Sequence, residues 1–351
     1  MHRTRVNIPG VRECRRAGQN GAVAVLVLLI VLLVAACGHA VRAPSTTPSP
    51  TQTTAVTIAV YPGTVWSVPI YAAQREGFFR QHGISATLVP FSTSPVALAS
   101  LASGSIDTAS ASPEVFLAAV ASGLNMRVFA GLLKIPWTIL LAKSVRSSSS
   151  TYPTDLHALA GLTIGVPAIP SAGQAILDVA LHQAGLSPSA VHLAAVGIGP
   201  SALAALKTGS IQALVTQQPE AEEAVAQAGA RILMNPTQNE LPKSLSGPYM
   251  GQWVLASYAK AHPTTVRNLR AALVEAQAWL SNRAKVAAVA QLLSSIYNAP
   301  GLNYTNLAKG DEQLWTAGYS VATLKAYDTY DVEYGFLRAF VPVGKLVWSG
   351  A

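Results

Sequence analysis

Four consecutive stretches decide the fold: Val56-Thr57-Ile58-Ala59-Val60, then Tyr61-Pro62-Gly63-Thr64-Val65-Trp66, then Pro69-Ile70-Tyr71-Ala72-Ala73-Gln74-Arg75-Glu76, and, past Gln81-His82-Gly83-Ile84, the run Ala86 to Val89. The first is a short apolar run rich in β-branched residues. The second is a turn built on Pro-Gly, the third a helical segment halted at Gly77, and the fourth a second strand. Strand, helix, strand with short joints is a βαβ unit, so the sequence predicts an α/β fold with a mostly parallel sheet. Ligands of such sheets lie outside the carboxyl ends of the strands, which makes Pro62 to Trp66 the first candidate site loop.

The unit recurs. Shifted by 105 residues, Leu88 to Ile106 aligns without gaps on Leu193 to Ile211 with nine identities in nineteen positions. Pro95 and Pro200 can open a helix, whose first turn has no partner for an N–H in any case. Leu98/Leu101 and Leu203/Leu206 share a helix face. Gly104 and Gly209 are placed to end their helices left-handed, with Ile106 and Ile211 starting the next strands. Upstream, Leu162-Thr163-Ile164-Gly165-Val166 resembles Val56 to Val60.

The repeat predicts two α/β lobes, each a mixed, mostly parallel sheet flanked by helices, with a cleft between them that strand ends and helix N-termini face. Lobe 1 is expected over 56–140 and 252–351 and lobe 2 over 141–251, with hinge passages at 132–143 and 245–256. The rest reads as helix over 263–279, 283–297, 310–319 and 320–327, and the apolar end 340–351 is expected against the first lobe.

Residues 1–36 read as an export signal: five Arg precede Ala22 to Ala36, an uncharged apolar run of fifteen residues. A membrane-spanning helix needs about 20. Val34-Ala35-Ala36-Cys37-Gly38 resembles a bacterial lipobox, which predicts lipidation of Cys37; a single-pass anchor is the alternative. Residues 37–55, rich in Pro, Ser and Thr, read as a flexible tether. The expected location is the outer face of the bacterial cytoplasmic membrane, held by the lipid.

The other cysteine, Cys14, lies in the segment to be removed, so the mature chain has no internal disulfide and no thiol nucleophile besides the lipidated Cys37. The net charge of +8 falls to about +4 once the five Arg and one Glu of residues 1–36 are subtracted. With no Lys/Arg run beyond Cys37, nucleic acid is not an expected partner. H-E-x-x-H, P-loop and G-x-S-x-G motifs are absent, and seven scattered His residues show no metal-ligand spacing, so neither a metal nor a cofactor is expected. Gly197-Ile198-Gly199-Pro200-Ser201-Ala202 fits G-x-G-x-x-A, but Pro200 sits inside it and no acidic residue follows at the expected place.

Ala72-Ala73-Gln74-Arg75-Glu76-Gly77-Phe78-Phe79-Arg80-Gln81-His82-Gly83-Ile84 resembles a signature of ABC-importer substrate-binding proteins, in the branch that takes nitrate, sulfonates, taurine and thiamine pyrimidines. Leu101 to Asp107, Asp155 to Val166, and Ala261-His262-Pro263 with Ala276, Trp279 and Leu280 are similar to its other motifs, in the same order. The resemblance covers about Val56 to Leu280 and not the C-terminal fifth. It implies a periplasmic-binding-protein-like clamp of type II, which catches a small solute and hands it to a permease and its ATPase without doing chemistry. A monomer is expected. The rival readings are a ligand sensor or adaptor lipoprotein, and an enzyme similar to thiamine pyrimidine synthases, whose cysteine-rich motif this chain lacks.

By position, the resemblance implies ligand contacts at Gly63, Thr64 and Trp66, at Ser92, Thr93 and Ser94, and at Ser110 and Ser112 of the first lobe. In the second they fall at Ser171, Ala172 and Gly173, at Gly197, Ile198 and Gly199, and at Thr216, Gln217 and Gln218. Backbone N–H groups and hydroxyls at helix starts hold anions, although the same hydroxyls serve as plain caps. Trp66 and Trp137 offer flat faces for stacking, as do Tyr61, Tyr249 and Trp253. Glu114 either binds an amine or interacts with the helix start, and it argues against a bare inorganic anion. The ligand is therefore expected to be a sulfonate-like anion or an aromatic heterocycle.

Overall fold

The computed structural model describes residues 53–147, 151–169, 171–238 and 240–350. The expected signal segment, Cys37 and the tether up to residue 52 lie outside the described residues.

The first lobe begins with β1 (Thr54–Val60), α1 (Val68–Arg75), α2 (Phe78–Gln81) and β2 (Ile84–Pro90). β1 and β2 pair in parallel from Thr54↔Ile84 to Val60↔Pro90. The segment continues with α3 (Ser94–Ala102), β3 (Ala109–Ala111), α4 (Pro113–Ala121) and β4 (Met126–Leu133). The chain then crosses to the second lobe through 134–137. There it forms β5 (Thr138–Leu141), β6 (Thr163–Val166), α5 (Ala172–Gln183), β7 (His192–Ala195), α6 (Pro200–Thr208), β8 (Ala213–Thr216), α7 (Glu220–Ala228) and β9 (Arg231–Met234). It returns through 235–249 into β10 (Met250–Leu255). Then come α8 (Ala256–Ala261), α9 (Pro263–Leu280), α10 (Val286–Tyr297), α11 (Tyr304–Gly310) and α12 (Val321–Glu333).

The two sheets share one plan. The second runs β7-β6-β8-β5-β9, with β5 antiparallel to both its neighbours. In the first, β2 pairs with β1, a parallel bridge Ile58↔Thr108 joins β1 to the start of β3, and β10 lies antiparallel between β3 and β4. Each crossing strand is thus the antiparallel member of the sheet it enters. The boundaries expected at 140/141 and 251/252 fall inside β5 and β10.

Strands covered on both faces read as near-continuous apolar runs, which is what β4 and β8 show. One core face of the first lobe joins β1, α1, α9 and α10; the other joins α3, α4 and β10. In that second face Trp253 stacks on Phe116, and its indole N–H donates to the Ala111 carbonyl at 3.0 Å. Gln277 of α9 donates to the Gly131 carbonyl at 2.7 Å, tying the long helix to β4. The helix starts read from Pro95 and Pro200 fall within the first turns of α3 and α6, and Gly104 and Gly209 take φ of 75° and 76° at their ends. The strands expected from Ile106 and Ile211 begin slightly later, at Ala109 and Ala213.

The C-terminal region differs from the sequence reading. The α-helix expected over 310–319 is absent: Asn303 caps the start of α11 by accepting from the Asn306 N–H, the α-helix stops at Gly310, and only a short 3-10 turn, Asp311–Gln313, follows. Trp315 instead bridges to Leu133 and joins the core. The helix expected over 320–327 continues to Glu333. Leu324, Leu337, Val341 and Leu346 pack in the first lobe, Tyr327 and Tyr330 in the second, so α12 straddles the boundary. Val347 bridges to Val128, which places the apolar end on the first lobe.

Candidate functional site

The loop after β1 is fixed from within. The Tyr61 N–H donates to Ser67 Oγ at 2.7 Å, and the Thr64 hydroxyl donates to the Tyr61 carbonyl at 2.8 Å. The turn holds Trp66 edge-on to Tyr61, with ring centroids 5.7 Å apart. From there the indole N–H of Trp66 donates to Gln217 Oε1 at 2.8 Å, a hydrogen bond from the first lobe to the second. Tyr61 donates its hydroxyl to the Ser110 carbonyl at 2.5 Å and also meets the Ser94 side chain. Burial pushes the Tyr61 phenol up to about 12, so it stays a donor.

A second constellation centres on Glu114 in the first turn of α4. Ser112 and Tyr249 both donate to its Oε1, at 2.6 and 2.7 Å. Its other oxygen, Oε2, is buried without a partner. The residue as a whole is partly exposed while its carboxyl is shut in. Burial raises the carboxyl above its ordinary range, and the bonds from Ser112 and Tyr249 oppose that rise. The indole N–H of Trp137 lies near the Tyr249 hydroxyl without a hydrogen bond of good geometry. Trp137 rests on the start of α5 because residue 173 is glycine. A Cβ there would come 2.9 Å from Pro167 and 3.3 Å from the Trp137 ring.

The second wall comes from the ends of β6 and β8. Thr216 and Gln217 are buried, and Thr216 Oγ1 has no partner. Glu220 opens α7, and a Cβ on Gly199 would stand 3.8 Å from its Oε1. Burial, helped by Glu223, pushes Glu220 up to about 7, and its Oε2 is unpartnered. Ser110 Oγ, Glu114 Oε2, Trp137 Nε1, Thr216 Oγ1 and Glu220 Oε2 are thus all buried without a hydrogen bond. Each such group costs about 1–3 kcal/mol unless something meets it.

Trp66, Ser94, Ser110, Ser112, Glu114, Trp137, Gly173, Thr216 and Gln217 form or adjoin these constellations. Ser171 and Ala172 join Glu114 in lining a groove of about 900 Å³ between the lobes. Ser171 also accepts from the Gln174 N–H at 3.2 Å, an N-cap for α5. Other expected contacts are elsewhere. Gly63 lines a separate cavity with Tyr71 and Leu292. Ser92 and Thr93 are exposed, as is Ile198. Gly197 and Gly199 shape the turn before α6 with φ of 76° and 87°. Gln218 accepts from the Glu222 N–H at 3.4 Å, inside the first turn of α7.

Sequence reasoning missed Glu220, although it stands only two residues beyond Gln218, and Asp331, which no motif marks. Asp331 is fully buried on α12, with both carboxylate oxygens unpartnered. Burial first, then Glu114 and Asp328, push it up to about 9. Among the described residues, no group of three or more His, Cys, Asp or Glu is placed to hold a metal ion.

Two lobes of one plan, joined by strands that cross between them and closed on each other through Trp66 and Gln217, define a two-lobe clamp of the periplasmic-binding-protein type. Residues 49–294 match the family model described as NMT1-like family, and the chain belongs to that family. Its fold is similar to that of the periplasmic aliphatic sulphonate binding protein SsuA from Escherichia coli, with a TM-score of 0.67, 20% identity, and 84% of this chain and 97% of that one covered. SsuA from Xanthomonas axonopodis pv. citri, an alkanesulfonate-binding protein bound to MOPS, gives 0.65 and 21%, covering 84% and 98%. The periplasmic nitrate-binding protein NrtA from Synechocystis PCC 6803 gives 0.65 and 16%, covering 83% and 84%. No curated protein matches the sequence.

Proposed function

We propose that this protein is the solute-binding component of an ABC-type importer. It captures a small organic solute between its lobes and delivers it to a membrane permease and its ATPase, as a monomer lipid-anchored through Cys37 at the outer face of the cytoplasmic membrane. It does no chemistry. The observation that carries the reading is the facing pair of walls, bridged by the Trp66–Gln217 hydrogen bond and supplied from both lobes with buried polar atoms that lack partners. A ligand that meets those atoms from both sides favours the closed arrangement by its differential affinity. The named structural relatives bind sulfonates or nitrate, which supports solute binding as the task.

Of the two ligand classes expected, the walls favour the aromatic heterocycle. A sulfonate calls for donors or cations, whereas two carboxyls, Glu114 and Glu220, stand in these walls, and among the described residues no Lys or Arg lines the groove. Trp66, partly exposed, supplies a flat face, whereas Tyr61 and Trp137 are buried in the cores of their lobes. The test is a thermal-shift panel of pyrimidines, flavins, taurine, alkanesulfonates and nitrate. Ligand at about 100 times its Kd adds roughly 2.7 kcal/mol. At this size that moves the midpoint by several degrees. A shift with heterocycles is expected. Shifts confined to sulfonates would overturn the choice of class, and silence across the panel with folded protein would count against solute capture.

A further inference from the structure

The 900 Å³ groove is larger and more apolar than the polar atoms of the walls require. Its sides are two helical stripes: Leu98, Ala99 and Ala102 from α3, and Val115, Ala118 and Ala119 from α4. The spacings of three and four put each set on one face of its helix. The alanines leave the room that longer side chains would fill. Phe336 stands at the α12 side and Ser171 at the start of α5, so the groove is continuous with the space between the lobes.

Its floor is the opposite in character. Among the described residues Glu114 is the one ionisable residue lining it, with Oε1 already taken by Ser112 and Tyr249 and Oε2 buried and unpaired. Behind it, outside the groove lining, Asp331 is buried on α12, which packs on α4. It is fully buried, and both its oxygens lack partners. Tyr249 is occupied as a donor to Glu114, and Tyr327 and Tyr319 point their hydroxyls at backbone carbonyls, so none of these three phenols serves Asp331. The apolar trough thus ends at Glu114, whose Oε2 has no hydrogen-bond partner.

We infer that this groove takes a solute with a protonated amine at one end and an elongated apolar body, the ammonium donating to Glu114 Oε2 and the body lying between α3 and α4. The inference rests on the solute-binding reading and names the chemistry its site selects. Charge complementarity sets the polarity of the ligand: a carboxylate or sulfonate in the same position would face Glu114 directly. The volume sets its size, at the upper end of small-molecule sites, which span roughly 300–1,000 Å³. The apolar stripes reward length, since each buried CH₂ contributes about 0.8 kcal/mol.

The experiment is calorimetric titration of the protein with three ligands of one shape, 4-phenylbutylamine, 4-phenylbutanol and 4-phenylbutane-1-sulfonate. The expected result is binding of the amine at least tenfold tighter than the alcohol, with the sulfonate weakest. Glu114→Gln should bring amine and alcohol to within about twofold of each other, because the amide removes the charge that separates them. Ala118→Trp should fill the trough and weaken the amine and alcohol together. The wild-type ranking decides even if a variant fails to fold. Equal binding of amine and alcohol, or a preference for the sulfonate, overturns the inference. If the heterocycle panel gives shifts while the amine is silent, solute capture stands and this inference falls; if both are silent, both fall.

Discussion

Replacing Asp331 by Asn tests the buried carboxyl of α12 directly. Asp331 is fully buried, and burial, then Glu114 and Asp328, raise its carboxyl from an ordinary 3.8 to about 9. The folded protein therefore keeps a proton there that the unfolded chain has lost at neutral pH. Between those two values the native state binds one proton more than the unfolded state, so stability falls as pH rises, at about 1.4 kcal/mol per pH unit for this group. Below the unfolded value nothing is lost, and above the folded value the loss is complete. From pH 5 to pH 8 the wild type should lose about 4 kcal/mol that Asp331→Asn does not lose, because a neutral amide of the same shape has no proton to give up. Urea denaturation of both proteins at pH 5, 6, 7 and 8 reads this as a difference that widens with pH. Asp311 and Glu220, raised by burial to about 8 and about 7, contribute to both proteins alike and cancel. A constant gap across the four pH values would refute the reasoning, since it would mean that Asp331 is already ionised in the folded protein.

Glu220→Gln should remove a similar slope over a narrower window, from about pH 4.5 to about pH 7, worth at most about 3 kcal/mol and readable in the same titrations. Trp66→Phe keeps the ring but removes the donor that reaches Gln217 across the lobes, at a cost of about 1 kcal/mol to closure; ligand affinity should fall about fivefold, with more open particles by small-angle scattering, and unchanged affinity would show the bond to be incidental. Gly131→Ala would set a Cβ 2.7 Å from Pro248 and under 3 Å from the carbonyls of Thr316 and Gly318. Overpacking of that kind costs roughly 1–3 kcal/mol or more. Gly209→Ala has open space around it and faces only the penalty of φ 76°. That penalty is about 1 kcal/mol, so the first variant should have the lower Tm, and the reverse order would contradict the packing around β4.

The parts of the fold that were readable in the sequence are those set by local chemistry. Pro95 and Pro200 pre-form a helix turn, Gly104 and Gly209 accept the left-handed end, and the repeat of both pairs announced two lobes of one plan. What stayed hidden depends on partners far away in the chain. The apolar runs Thr138–Leu141 and Met250–Leu255 do not say which sheet they enter, because strand pairing is decided by the completed core rather than by the strand. Trp315 sits where a helix was expected because the first lobe's core captures its ring. The candidate site divides the same way. Ser110, Glu114 and Gln217 stand at loop ends that the strand pattern locates, whereas Asp331 comes to Glu114 only through the packing of α12 on α4.

The crossing strands also set an order of assembly. The second sheet is drawn from one uninterrupted stretch, β5 to β9, and is complete in sequence by Met234. The first sheet lacks the strand between β3 and β4 until Leu255 is available, and its outer core lacks Val341 and Leu346 for longer still. For a chain emerging N-terminus first, the sheet that begins earlier finishes later. Through that interval β3 and β4 remain apart, with their apolar faces uncovered, a state that favours aggregation. A chain truncated after residue 249 should keep a complete second sheet, short only of the cover that Tyr327 and Tyr330 bring, beside a half-built first one, and holding that half-built lobe soluble falls to whatever accompanies the chain until its return strand arrives.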